Sequence, residues 1–131
     1  MGLLVHVLSI FTGFWAPLII YIVKRDSKFI SFHALQSLLW HLLYMIVSFI
    51  FVFGTIFVFM GTVISRVAAQ HGPGAAPPPG IFLVAPLFWM GIFVLWAINL
   101  MIGIVFAIKA NGGEWATFPL VGKWALRTVS G

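Results

Sequence analysis

The segment YMIVSFIFVFGTIFVFMGTVI, residues 44–64, decides the fold class of this chain because it contains no charged side chain. A helix rises about 1.5 Å per residue, so about 20 apolar residues cross a hydrocarbon core of about 30 Å. The whole chain has 131 residues, of which 63% are hydrophobic and 7% charged, and its mean hydropathy is +1.17. This composition leaves too few polar groups for a water-facing surface, and it predicts an integral membrane protein.

Apolar runs and the breaks between them predict an all-α integral membrane fold with three transmembrane helices, in a single domain over residues 1–131. The first span covers residues 3–23 and ends at a basic cluster. The second is long, covers residues 30–66 and starts at the cytoplasmic interface. A re-entrant or fourth short span over residues 29–44 is the alternative to that start. The third span covers residues 81–108 and ends before an Asn-Gly-Gly helix stop.

Two segments lie outside the predicted spans. Residues 68–80 are rich in proline and glycine, which indicates an exposed outer loop. Residues 111–131 combine aromatic and basic side chains, and we expect a short amphipathic segment at the interface. With three spans, every lysine and arginine except Arg66 falls on the side shared by the first loop and this tail. The positive-inside rule then places the C-terminus in the cytoplasm and the N-terminus outside, in a bacterial inner membrane.

The basic side of the protein is expected to contact lipid headgroups. A net charge of +5 would suggest nucleic acid in a soluble protein. In a chain this apolar, lysines and arginines at membrane edges attract anionic lipid instead. Membrane lipids are therefore the expected partners, nucleic acid is not, and the residues expected to make headgroup contacts are Lys24, Arg25, Lys28, Lys123 and Arg127.

One face of the second predicted helix is polar near its start and along its length. At about 100° per residue, its polar side chains fall within an arc of about 140°, except Ser31 at the very start. Polar side chains at membrane depth are costly, so they indicate either helix packing or a proton, ion or cofactor site. We call this set the polar stripe, and it consists of His33, Gln36, Ser37, Trp40, His41, Tyr44 and Ser48.

The other two predicted spans carry small and polar residues that can meet the polar stripe. Asn99 is an amide deep in the third span and needs a hydrogen-bond partner in lipid. Glycine, alanine and serine let neighbouring helices approach closely. The residues predicted to pack the three helices into a compact bundle are His6, Ser9, Gly13, Asn99, Gly103 and Ala107.

Residue types that catalysis needs are largely missing. The acids are Asp26 and Glu114, both in segments predicted to lie outside the membrane, which excludes paired-carboxylate catalysis and a Ser/His/acid triad. The chain has no cysteine. His33 and His41 are about 12 Å apart along a helix, too far to share one metal ion. The chain is therefore predicted to be no enzyme, with no metal site and no cofactor, although bound lipids are expected.

Three short motifs spread over nearly the whole chain carry a family resemblance. They are PLI at residues 17–19, FHALQ at residues 32–36, and KA at residues 109–110 followed by GEW at residues 113–115 and Pro119. Together they resemble a widespread family of small bacterial membrane proteins of unknown function. That family is similar to the twenty-kilodalton membrane subunit of the chloroplast inner-envelope (Tic) import translocon. The resemblance implies a small α-helical membrane domain and, by analogy alone, a link to protein translocation.

Three functions are compatible with these features. The leading interpretation is a non-enzymatic assembly or scaffold subunit, which packs its small and polar faces against other membrane subunits or copies of itself. The alternative is a homo-oligomeric channel or carrier for protons or small ions along the polar stripe. A third interpretation is a subunit that contacts a lipid or pigment cofactor within a respiratory or photosynthetic complex.

Overall fold

A computed structural model of the protein describes residues 2–69 and 80–130. Residues 70–79 of the predicted outer loop lie outside the described residues. The predicted all-α fold is confirmed, since the described part of the chain forms helices and no strand. The helices are α1 (Gly2–Thr12), α2 (Trp15–Val23), α3 (Lys28–Ala69), α4 (Ile81–Asn111) and α5 (Gly122–Ser130).

Among the described residues, two helices are long and apolar enough to cross a membrane by length and composition. α3 covers the predicted second span, and Ser27 caps its start, where the Ile30 amide donates to Ser27 Oγ at 3.4 Å. α4 covers the predicted third span and ends at Asn111, followed by Gly113 at φ 79°. A left-handed glycine just after a helix is a usual C-terminal stop.

The first predicted span, residues 3–23, is not one continuous helix, so that prediction is wrong. Gly13 adopts φ 63°, in the left-handed region, and separates α1, of 11 residues, from α2, of 9 residues. At about 1.5 Å per residue, the two helices are about 17 Å and about 14 Å long, and neither crosses a core of about 30 Å. The prediction that Gly13 packs helices is also wrong, because a Cβ at this position would meet no atom within 4 Å.

The chain divides into two compact units. One comprises residues 2–45 with 97–130, and the other comprises residues 46–69 with 80–96. The first unit contains α1, α2, α5, the start of α3 and the end of α4, and side chains such as Phe32 are completely buried in it. The second unit contains the remaining parts of α3 and α4, and none of its described residues is buried.

In the first unit, α1 and α2 form a helical hairpin whose two ends lie beside the start of α3. A Cβ placed on Gly2 would lie 3.0 Å from the Phe29 ring and 3.1 Å from Ala110 Cβ. At the other end of the hairpin, Ser31 Oγ donates to the Lys24 carbonyl at 3.2 Å. The chain therefore enters and leaves the hairpin at the same end of α3. The single crossing on which the outside N-terminus was predicted is absent.

Candidate functional site

The candidate site is centred on Gln36, whose side-chain amide binds the segment that follows α4. Gln36 Nε2 donates to the Ala116 carbonyl at 3.1 Å, and the Phe118 amide donates to Gln36 Oε1 at 3.1 Å. Residues 114–118 belong to neither helix nor strand, so their backbone groups need other partners. One fully buried amide side chain supplies two of them, as a neighbouring strand would.

His33 extends this network to α1 and to Glu114. Its Nε2 lies 3.1 Å from the Glu114 carbonyl, which can only accept, so Nε2 carries the proton. In a neutral imidazole, Nδ1 is then an acceptor, and it faces His6 Nε2 at 3.1 Å and Gln36 Nε2 at 3.3 Å. The hydrogen-bond pattern therefore assigns protons to Nε2 of both histidines.

The same assignment leaves one buried acceptor without a partner. His6 Nδ1 carries a lone pair and, within the described part of the chain, makes no hydrogen bond. His6, His33 and Gln36 each have an exposed fraction of 0%. The network is thus closed to water and saturated except at this single nitrogen.

Aromatic rings surround the network and exclude solvent. The His6 ring stacks on Phe118 with centroids 5.3 Å apart, and Phe29 meets His33 edge to face at 4.5 Å. Phe106 packs against Phe118 at 4.1 Å. Burial of large rings dominates the energy of such contacts, so this centre is a packed core.

A second contact, which is partly buried, joins α3 to α4 within the same unit. Trp40 Nε1 donates to Asn99 Oδ1 at 3.0 Å. The amide of Asn99 was expected to need a partner in lipid, and Trp40 of the polar stripe provides it. Each side chain can thereby be held at low dielectric without leaving its polar atom unpaired.

The candidate site brings few potential metal ligands together. Among the described residues, no group of three His, Asp or Glu side chains is placed to hold a metal ion. His41 Nδ1 donates to the Ser37 carbonyl of its own helix at 2.9 Å. The two histidines that do meet, His6 and His33, face each other through a hydrogen bond.

Comparison with protein families identifies the chain. A model of the magnetosome magnetite crystal formation protein family matches residues 1–125. The chain belongs to this family. Membership agrees with the predicted small bacterial membrane family, whereas no finding supports a similarity to the import translocon subunit. No curated protein and no solved structure matches the chain.

In this family member, the polar stripe does not remain a continuous surface. His33 and Gln36 join the buried network, Trp40 binds Asn99, and His41 binds its own helix. Ser48 belongs to the other compact unit. Ser37 is buried and Ser48 is half-buried, and the hydroxyl oxygen of each is shielded from solvent and forms no hydrogen bond within residues 2–69 and 80–130.

The residues predicted to pack helices are largely found in contacts. Ser9 is 1% exposed and donates to the His6 carbonyl at 2.7 Å. A Cβ on Gly103 would lie 3.1 Å from Ile10, and Ala107 is 4% exposed. Gly103 therefore lies close to α1 and Ala107 is buried, while Gly13 lies in the turn between α1 and α2.

Sequence reasoning missed the role of residues 114–118, which were expected to lie at the interface. Phe118 is only 3% exposed and Ala125 is completely buried. Trp124, in contrast, is 71% exposed, as an interfacial residue would be. The signal for burial was the aromatic spacing in GEWATFP, whose second aromatic side chain points into the unit.

Proposed function

We propose that this protein is a non-enzymatic membrane protein of the magnetosome that takes part in magnetite crystal formation as an assembly or scaffold subunit. The observation that carries the proposal is the family match over residues 1–125. On the same basis we place the protein in the magnetosome membrane, where the sequence alone suggested the inner membrane of a bacterium.

The closed network supports a structural role for the polar residues. A catalytic group must reach its substrate, directly or through one water. His6, His33 and Gln36 are completely buried, and their polar atoms, apart from His6 Nδ1, are bonded to other protein groups. We therefore propose that the polar groups of these three side chains hold residues 114–118 in place.

Exposed apolar surface supports the assembly part of the proposal. Within residues 46–69, 80 and 82–96, no side chain is buried, and Phe57 and Trp89 are 81% and 67% exposed. Lipid covers part of such a surface, and aromatic side chains also supply the energy of protein interfaces. We propose that these faces pack against other membrane subunits or against copies of the same chain.

Two alternatives receive no support. A proton or ion path along the polar stripe requires wet polar side chains, whereas His33 and Gln36 are buried and bonded to protein. A role in protein translocation depended on the translocon resemblance alone.

The role in crystal formation is tested by deleting the gene in a magnetite-forming bacterium. Electron microscopy of the crystals should show altered size or shape, restored by the wild-type gene. Complementation with Ser37→Ala should restore wild-type crystals. Gln36→Leu removes the hydrogen bonds to Ala116 and Phe118 and should restore crystal size and shape less fully. Unchanged crystals in the deletion strain would contradict the proposal.

Assembly is tested separately by native mass spectrometry and chemical crosslinking in a mild detergent. We expect a homo-oligomer or a co-purifying membrane protein. A strict monomer from native membranes, with no associated protein, is the result that refutes a scaffold role.

We further propose that α3 and α4 cross the membrane while the α1–α2 hairpin re-enters it from the basic side. The contact of Gly2 with Phe29 and Ala110 supports this arrangement, because it sets the N-terminus beside the start of α3 and the end of α4. Both termini would then be cytoplasmic by the positive-inside rule.

The absence of cysteine makes this arrangement easy to test. Single cysteines are introduced before Gly2, at His71→Cys and at Ser130→Cys. Each variant is expressed in a bacterium that forms no magnetosomes, so that the protein enters the cytoplasmic membrane, and is labelled with a membrane-impermeant maleimide in intact spheroplasts. Only His71→Cys should react before permeabilisation. Labelling of the N-terminal cysteine together with His71→Cys would restore the three-span topology.

A further inference from the structure

A cationic cleft lies where α2, α3 and α5 meet in the first unit. Its volume is about 280 Å³, well above the minimum of about 10–15 Å³ that one water molecule needs. The cleft is therefore large enough for a tetrahedral anion with its hydration or its ester groups. Its lining residues are Tyr21, Arg25, Lys28, Ser31, Thr128 and Val129.

The charge of this cleft is positive and uncompensated by protein. Among the residues that the structure describes, Arg25 and Lys28 are the charged residues of its lining, and no carboxylate lines it. Neither cation forms an ion pair in the part of the chain that the structure describes, although Asp26 lies between them in sequence. Two unpaired cations at one opening attract an anion from solvent or from the membrane surface.

The Arg25 guanidinium is held in a defined position. It lies 5.6 Å from the centroid of the Tyr21 ring, within the range of a cation–π contact. Restriction of a long side chain before binding lowers the entropy lost when a ligand arrives. Guanidinium groups also match the geometry of phosphate oxygens, with two parallel N–H donors.

The hydroxyl groups of the cleft complete a polar wall. Ser31 Oγ donates to the Lys24 carbonyl at 3.2 Å, and Thr128 Oγ1 donates to the Trp124 carbonyl at 2.9 Å. Because their protons are engaged, both oxygens present lone pairs, which suit the Lys28 ammonium or a ligand hydroxyl. The charged donors left for an anion are therefore Arg25 and Lys28.

A second, apolar cleft is lined by residues that are neighbours in sequence of those in the cationic cleft. It has a volume of about 260 Å³, is walled by apolar side chains of α1, α2 and α3, and includes Lys24, the residue before Arg25.

From these features we propose that the cleft formed by Tyr21, Arg25, Lys28, Ser31 and Thr128 is a binding site for a phosphate group. The group is carried either by an anionic phospholipid or by free inorganic phosphate. The site is independent of the role proposed in crystal formation, since it uses none of the buried network.

Binding is measured on the full-length protein in mild detergent. One arm adds phosphatidylglycerol and counts bound lipid by native mass spectrometry, and the other adds inorganic phosphate and follows the thermal unfolding midpoint. Retained lipid would identify a phospholipid headgroup as the ligand, and a raised unfolding midpoint would identify free phosphate. Either result supports the site. No binding of either probe would overturn it.

Matched charge variants separate a defined site from general electrostatic attraction. Arg25→Gln with Lys28→Gln should weaken binding by about tenfold or more, because two charge-assisted hydrogen bonds are lost. Arg66→Gln with Lys109→Gln removes the same charge from exposed positions outside the cleft lining and should change binding less than about threefold. Equal losses in the two double variants would overturn the proposal.

A third variant tests the cleft even if the double variant of Arg25 and Lys28 fails to fold. Val129→Trp fills the cleft without changing the charge and should also lower binding, while circular dichroism checks that helix content is retained. Wild-type affinity in a folded Val129→Trp protein would count against a site inside the cleft.

Discussion

Replacement of Gln36 by leucine is the sharpest test of the buried network. Leucine is apolar and similar in volume, so the change removes hydrogen bonds and leaves little cavity. It leaves the Phe118 amide and the Ala116 carbonyl without their partner, since both bind the Gln36 side chain at 3.1 Å. An unsatisfied buried group costs about 1–3 kcal/mol, so the sum for two groups is about 2–6 kcal/mol.

We expect Gln36→Leu to lower the free energy of unfolding by about 3 kcal/mol, nearer the lower limit because water can reach part of the loosened segment. The assay is reversible unfolding by SDS titration in mixed micelles. Hydrogen exchange at the Phe118 amide gives a local readout, and protection there should fall more than in the rest of the first unit.

Ser37→Ala is the matched control. Ser37 is the next residue on α3 and equally buried, but its hydroxyl makes no hydrogen bond within the described residues. Its removal should be neutral or stabilise the protein by up to about 1 kcal/mol. Two results would contradict this role of Gln36: a free energy of unfolding of Gln36→Leu within about 0.5 kcal/mol of the wild-type value, or an equal loss in both variants. Either would show that the hydrogen bonds of Gln36 do not hold residues 114–118.

Two further substitutions test the helix contact and the hairpin turn. Trp40→Phe removes the donor to Asn99, and we expect a loss of about 1–2 kcal/mol in the same unfolding assay; the loss should shrink in an Asn99→Leu background, and an unchanged loss would show that the indole contributes by packing alone. Gly13→Ala places a Cβ at φ 63° and should cost about 1–2 kcal/mol. Gly54→Ala, in the interior of α3 with open space around its Cβ, should stabilise by up to about 1 kcal/mol. Equal effects of the two alanines would contradict the assigned turn.

The family match changes the function expected from the sequence. Composition and motifs indicated a small bacterial membrane protein, which agrees with the family found. Nothing in the residues pointed to magnetite, because the chain has only two acids and no cysteine with which to bind iron. The proposal of a scaffold role therefore depends on the family and on exposed helix faces.

The candidate site could be predicted only in part. Helical periodicity of about 100° per residue placed His33 and Gln36 on one face, and their polarity indicated that both side chains require hydrogen-bond partners. It could not name those partners, because Glu114 and Ala116 contribute backbone carbonyls, which every residue has. A contact over 80 or more positions in sequence leaves no periodicity to detect.

Hydropathy and chain length were sufficient for the membrane character and for α3 and α4, because crossing a bilayer depends on local composition and helical rise. The break at Gly13 was open to either reading, since a glycine in an apolar run can pack or turn. Only the folded first unit decided it. There, α1 turns back so that His6 reaches His33 and Gly2 reaches Ala110, contacts that arise from packing between distant segments and not from local preference.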